Sequence, residues 1–217
     1  MSPAAVIFDM DGVIVESEAL WDKAREDLVV ATGGVWVPGA QQAMMGMAST
    51  QWSVYVRDHL QVPLTAEEIN RRIIDRLIEL YREDFPEIEG APQVVRAAAE
   101  RWPLAVASSS NRELIDLVIE LAGLADAFVT TVSSEEAGRG KPEPDVFLEA
   151  ARQLGVDPGD VVVIEDSGNG IKAGKAAGMK VIAAPNRDFP PHPDALALAD
   201  KVIDRIGDLT NEMIELV

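Results

Sequence analysis

A short apolar run that stops on two carboxylates constrains this chain more than any other stretch. Residues Ala5–Phe8 (AVIF) have the character of a strand buried on both faces. They lead directly into Asp9-Met10-Asp11-Gly12. Two acids at i and i+2 beyond a buried strand are costly to desolvate unless a cation or hydrogen-bond donors receive them. Gly12 lets the chain turn sharply there. A single Asp after a strand often only opens a turn. A pair in this spacing directs attention to what the rest of the chain brings to meet it.

Between Glu16 and Pro86 the periodicity is helical. It predicts helices over Glu18–Thr32, Gln51–Leu60 and Glu67–Phe85, and no strand. In the last of these, Ile69, Ile73, Leu77, Leu80 and Tyr81 share one face. Ser49 and Thr50 are capping candidates, and Thr65 with Glu68 has the form of a capping box. From Gly90 onward strands and helices alternate. Strands are expected over Leu104–Ser108, Phe128–Val132, Val161–Ile164 and Lys180–Ala183, with a sixth at Lys201–Ile203. Helices are expected over Pro92–Arg101, Asn111–Ala122, Pro144–Leu154, Gly170–Ala177 and Asp208–Leu216. Such alternation implies an α/β fold with a mainly parallel sheet covered on both faces. The partners of the first strand lie in the second half of the chain. The helical stretch 17–86 therefore reads as an insertion into a core made of 1–16 and 87–217.

In an open parallel sheet ligands bind beyond the carboxyl ends of the strands. The segments expected there are Asp9 and Asp11, then Ser108-Ser109-Ser110-Asn111, then Lys141-Pro142-Glu143-Pro144-Asp145, then Glu165-Asp166-Ser167-Gly168-Asn169-Gly170. Each has an ordinary reading. The serines suit a helix cap, Lys141 a surface loop, and Asp145 the first turn of a helix. Together they put four acids, a hydroxyl cluster and one lysine on one sheet edge, and acids so gathered call for a divalent cation. The chain has no cysteine and two unpaired histidines, His59 and His192. Thiolate sites, disulfides and a Cys nucleophile are excluded, and the metal is expected to be a hard ion held by oxygen, Mg²⁺. Gly168-Asn169-Gly170-Ile171-Lys172-Ala173 has the spacing of a dinucleotide fingerprint. Glu165 and Asp166 would repel a pyrophosphate there, and the strand comes late in the chain.

The joint inventory matches phosphoryl transfer, which needs a nucleophile, charge neutralisation and a proton for the leaving group. Asp9 is placed to attack as a carboxylate and Asp11 to move the proton. Ser108, Ser109 and Lys141 are candidates to hold phosphate oxygens, and Asp166 with Glu165 to complete a metal shell. The net charge of −18 argues against nucleic-acid partners. No apolar run approaches the ~20 residues of a membrane span, and no secretion signal is evident, so the expectation is a cytoplasmic protein.

FDMDGVIVESE, LAVASSSN, GKPEPDVF and VVVIEDSGNGIKAGKAAGM, in that order, resemble the haloacid-dehalogenase superfamily and its branch of beta-phosphoglucomutase-like sugar phosphatases. The resemblance implies a Rossmann-like core with an inserted helical cap domain, Mg²⁺ dependence and an aspartyl-phosphate intermediate. It implies that Asp9 is nucleophile and metal ligand, and that Asp11 is general acid/base and lends its backbone carbonyl to the metal. It further implies that Ser108 and Lys141 bind phosphate and that Asp166, with Glu165 beside it, binds Mg²⁺. The dehalogenases themselves lack an acid at the place of Asp11, so its presence points to a phosphatase or mutase acting on a small phosphorylated substrate. The chain departs from the pattern at Glu16, where Asp is common. It also departs at Trp21, where beta-phosphoglucomutase has His, and at Met47–Thr50, where that enzyme has Arg. These losses favour hydrolysis over isomerisation. Trp21 and Ser49 are kept as candidate substrate contacts on the cap. Trp21 with Met44, Met45 and Met47 forms either an apolar pocket wall or plain cap packing, and Arg71, Arg72 or Arg76 is a candidate to replace the missing cation. The alternatives are a phosphosugar mutase and a non-catalytic module that accepts phosphate on Asp9. A monomer or weak homodimer is expected.

Overall fold

The apolar runs pair in parallel, as their unbroken character requires. In the computed structural model, which describes residues 2–44, 47, 49–187 and 190–217, six strands form one sheet: β1 (Ala5–Phe8), β2 (Leu104–Ser108), β3 (Thr130–Ser133), β4 (Val161–Glu165), β5 (Lys180–Ala183) and β6 (Lys201–Val202). Their order is β3-β2-β1-β4-β5-β6 and every pair is parallel. β1 lies inside, with Ile7 opposite Ala105 on one side and Val163 on the other.

Alternate residues of each strand serve opposite layers. Val6, Phe8, Leu104, Val106, Val162 and Ile164 face one apolar cluster. Ala5, Ile7, Ala105, Val161 and Val163 face another, with Phe147 and Ile171. Each large side chain buried this way contributes about 1.5–3 kcal/mol. The helices from residue 91 onward are α5 (Ala91–Ala99), α6 (Arg112–Leu121), α7 (Ser134–Ala137), α8 (Asp145–Leu154), α9 (Gly168–Ala176), α10 (Pro193–Leu196) and α11 (Asn211–Glu215). α8 and α9 cover the second face.

Between β1 and α5 come α1 (Glu18–Ala31), α2 (Ala40–Met44), α3 (Ser49–His59) and α4 (Ala66–Glu83). The expected face of α4 is buried, and its capping box forms: Thr65 Oγ1 accepts from Glu68 N, and Glu68 accepts from Thr65 N at 2.9 Å. The two chain crossings between these helices and the sheet run side by side. Val15 bridges Glu87, Glu16 N donates to Pro86 O at 2.9 Å and Ile88 N to Ile14 O at 3.1 Å.

Some boundaries differ from the sequence reading. β3 starts at Thr130, because Phe128 turns aside to pack edge-on against Phe8 with ring centroids 6.2 Å apart. The closing helix is split: a 3₁₀ turn at Ile206–Asp208 precedes α11, which Thr210 caps by accepting from Met213 N. α2 was not expected. Ser49 and Thr50 lie inside α3 and do not precede it. Met45 is outside the described residues. Among these, no helix is long and apolar enough to cross a membrane.

Candidate active site

Asp9 leaves the end of β1 with its backbone N–H on Ile164 O at 2.9 Å, so the sheet itself fixes where the carboxylate emerges. Lys141 reaches it from the loop before α8. Its Nζ lies 2.8 Å from Asp9 Oδ1 and 2.8 Å from Glu165 Oε1, and all three side chains are buried. The other oxygen of Glu165 accepts from Ser167 N at 2.7 Å and Ser167 Oγ at 3.0 Å. Two glycines admit these acids. A Cβ on Gly170 would overlap Glu165 Oε1, and one on Gly12, whose φ is +76°, would overlap Asp166 Oδ2.

Asp9, Glu165 and Asp166 each offer a carboxylate oxygen, all within 4.8 Å of one another. Burial pushes the Asp9 carboxyl well above the usual carboxylate range; Lys141 opposes the shift, and Glu165 and Asp11 add to it. Asp166 is pushed up by burial and then by Glu165 and Asp9. Burial alone would lower Lys141, but Asp9 and Glu165 outweigh it and hold the ammonium above the usual lysine range. A tight set of hard oxygen donors carrying more negative charge than one ammonium offsets is chemically suited to a divalent cation.

Asp11 has a different environment. It accepts from Ser17 Oγ at 2.5 Å, Ser110 Oγ at 2.7 Å, Ser108 Oγ at 3.2 Å and Trp21 Nε1 at 3.4 Å. One acid is thus held by a cation and the other by hydroxyls.

Both acids line a cavity of about 330 Å³ whose opposite wall comes from α1, α2 and α3. Lys141, Ser109 and Asp166 line it from the sheet side, Trp21, Trp52 and Arg25 from the other. The two indole rings meet edge to face, with centroids 5.7 Å apart. The Arg25 guanidinium lies 4.7 Å from the Trp21 centroid and 5.3 Å from that of Trp52. Burial lowers Arg25 to about 10, against the raising influence of Glu18, Asp22 and Asp11. Glu18 is raised to about 7, first by burial and then by Asp11, with Arg25 opposing.

The structure brings Asp9, Asp11, Ser109, Lys141, Asp166 and Trp21 to this one cavity. Ser108 is behind it, fully buried, spending its hydroxyl on Asp11. Ser109 Oγ is buried with no hydrogen-bond partner among the described residues. Ser49 is not at the cavity; its hydroxyl donates to Glu135 of α7 and joins α3 to the core. Arg71 and Arg76 point elsewhere, to Asp75, Glu113 and Glu79. Arg25 is the cation that lines the cavity from the side of the helices 18–83, and sequence reasoning missed it. The available signal was a cation four residues after Trp21, on the stripe of α1 that also carries Ala24 and Val29.

A family model described as haloacid dehalogenase-like hydrolase matches residues 3–178. Hexitol phosphatase B of Escherichia coli K12 is 35% identical over 213 residues, covering 95% of this chain and 94% of its own. The fructose-1-phosphate phosphatase of the same organism is 29% identical over 181 residues, 82% of this chain and 95% of its own. Among solved structures, beta-phosphoglucomutase from Clostridium difficile superposes with a TM-score of 0.85, covering 99% of this chain and 96% of that one. At 21% identity, that likeness concerns the fold alone.

Proposed function

Because this chain belongs to the haloacid dehalogenase-like hydrolases, we propose that it is a Mg²⁺-dependent phosphomonoester hydrolase of a small sugar phosphate, working through an aspartyl-phosphate. The observation that carries the reading is Asp9. It is a buried carboxylate at the end of β1, oriented by Lys141, and it opens on a cavity that also holds Asp11.

An Asp9 oxygen bonds to phosphorus as the ester P–O bond breaks, and Asp11 gives its proton to the leaving alkoxide. Asp11 then takes a proton from the water that attacks phosphorus, which frees inorganic phosphate and restores Asp9. The three serine hydroxyls around Asp11 can donate when it is ionised and rotate to accept when it is protonated, so the same cradle suits both halves of the reaction. Lys141 and the unpartnered hydroxyl of Ser109 are the groups offered to the phosphoryl oxygens. Asp9 and Asp166, with Glu165 and the Asp11 backbone carbonyl beside them, would hold Mg²⁺, which when bound supplies charge neutralisation on the phosphoryl group. The phosphatases among the relatives support a sugar phosphate as substrate. The mutase reading rests on the fold likeness alone. The net charge of −18 fits a chain that stays in solution, and we place it in the cytoplasm as a monomer or weak homodimer.

The test is phosphate release from a panel of phosphorylated sugars, phosphoglycolate, nucleotides and sugar bisphosphates, with Mg²⁺ and with chelator. Asp9→Asn is expected to abolish turnover by about 10³-fold or more; normal turnover by that variant would overturn the assignment. An isomerised hexose phosphate formed with a bisphosphate primer, in place of free phosphate, would establish the mutase instead.

A further inference from the structure

We propose that Arg25, packed against Trp21 and Trp52, selects the non-reacting end of the substrate, and that it does so by hydrogen-bonding the hydroxyls of an uncharged polyol or sugar chain and not by pairing with a second anion. This rests on the phosphatase reading above and names the part of the substrate that reading leaves open.

Arg25 is almost wholly buried, at 5% exposure, and its guanidinium packs against two rings from two different helices. Aromatic faces cover a guanidinium without using its N–H donors, which project in the plane. Its Nε has no hydrogen-bond partner among the described residues. A buried donor left in this state is unusual in a folded protein and marks a place for an acceptor to arrive. The cavity it lines is the one that opens on Asp9, so an acceptor on a substrate already attached at its phosphate end can reach it.

The chemistry of that acceptor follows from the charges around it. Glu18 and Asp11 line the same cavity as Arg25. A second phosphate or a carboxylate would enter against these two acids. A hydroxyl meets no such opposition, accepts from the guanidinium and hydrogen-bonds the Glu18 carboxyl on the same wall. The indole faces of Trp21 and Trp52 suit the C–H side of the same chain. A neutral, hydroxylated carbon skeleton uses all four groups at once.

The experiment compares wild type, Arg25→Met and Arg25→Lys by steady-state kinetics on four compounds: sorbitol 6-phosphate, fructose 1,6-bisphosphate, phosphoglycolate and acetyl phosphate, the last lacking a hydroxylated tail. The readout is kcat/KM for each, divided by that for acetyl phosphate. For sorbitol 6-phosphate the ratio is expected to fall roughly tenfold or more in Arg25→Met, mainly through KM, and to stay low in Arg25→Lys, whose point charge lacks the planar fork. Quenching of tryptophan fluorescence by sorbitol 6-phosphate in the metal-free protein is expected to weaken in parallel. An unchanged ratio in Arg25→Met, with all substrates slowed alike, would make Arg25 a packing residue and overturn the proposal. A wild-type preference for the bisphosphate or phosphoglycolate that Arg25→Lys retains would overturn it in favour of an anion site. If Arg25→Met fails to fold, Arg25→Lys and the fluorescence titration carry the same comparison. Absence of phosphate release from every compound, with quenching intact, would instead reject the phosphatase reading.

Discussion

Lys141 Nζ lies 2.8 Å from Asp9 Oδ1 with both side chains buried, so the proposed nucleophile is fixed by a lysine that arrives from more than a hundred residues away in sequence. The same ammonium holds Glu165. Removing one member of a buried ion pair strands the others without water or counter-charge. Lys141→Met is therefore expected to destabilise the fold by about 3–5 kcal/mol, read from urea unfolding, and to abolish phosphate release. Wild-type stability in this variant would mean that water reaches the pair and that the lysine is dispensable for folding.

The two glycines behind the acids make a sharper test, because each change adds one methyl group. In Gly170→Ala the new Cβ overlaps Glu165 Oε1, the atom that receives Lys141. In Gly12→Ala it overlaps Asp166 Oδ2, and φ at +76° adds backbone strain. Overpacking of this kind costs about 1–3 kcal/mol. Both variants are expected to lose activity out of proportion to stability, because the displaced atoms belong to the site. Thermal melts beside phosphate-release rates measure the two effects separately.

Glu18 gives the fold a pH dependence of a definite sign. Its carboxyl is raised from 4.5 to about 7, mainly by burial, so the folded state keeps the proton to a higher pH than the unfolded chain. The stability that follows is complete below about pH 4.5 and is lost as pH rises through 7. Glu18→Gln removes that loss. It is expected to match wild type near pH 4.5 and to exceed it by roughly 1–3 kcal/mol at pH 8, in urea unfolding followed across the range. An advantage independent of pH would show that Glu18 does not titrate on unfolding.

The strands could be read from the sequence because a parallel strand covered on both faces is apolar without interruption, as AVIF and VVVI are. The acids at their ends stood out for the same reason: nothing apolar accounts for Asp9 or for Glu165 and Asp166. Phe128 misled because a large apolar residue beside a strand has the same composition whether it joins the ladder or turns to meet Phe8. α2 spans only five residues, Ala40–Met44, too few to display a period. Three consecutive serines cannot show which hydroxyl faces the cavity, since that depends on how the chain leaves β2; Ser108 turns to Asp11 and Ser109 to the cavity. Arg25 stayed hidden because an arginine on a helix reads as solvated, and the ring that helps to bury it, Trp52, belongs to another helix.

Asp11 separates the two halves of the proposed reaction. Asp11→Asn leaves Asp9 and Lys141 paired, since Asp11 is held by Ser17, Ser108, Ser110 and Trp21 and not by the lysine. The amide can neither protonate an alkoxide nor accept a proton from water. With a sugar phosphate, whose leaving group needs that proton, turnover is expected to fall by about 10²–10⁴-fold. With p-nitrophenyl phosphate the phenolate leaves unaided, so the first half survives and the second stalls. The expected signature is a burst of nitrophenolate close to one equivalent per chain, followed by slow release of phosphate, and intact-mass spectrometry should show the phosphorylated protein. Loss of the burst together with turnover would place Asp11 in the attack step itself, and an unchanged steady state on sugar phosphates would remove it from proton transfer.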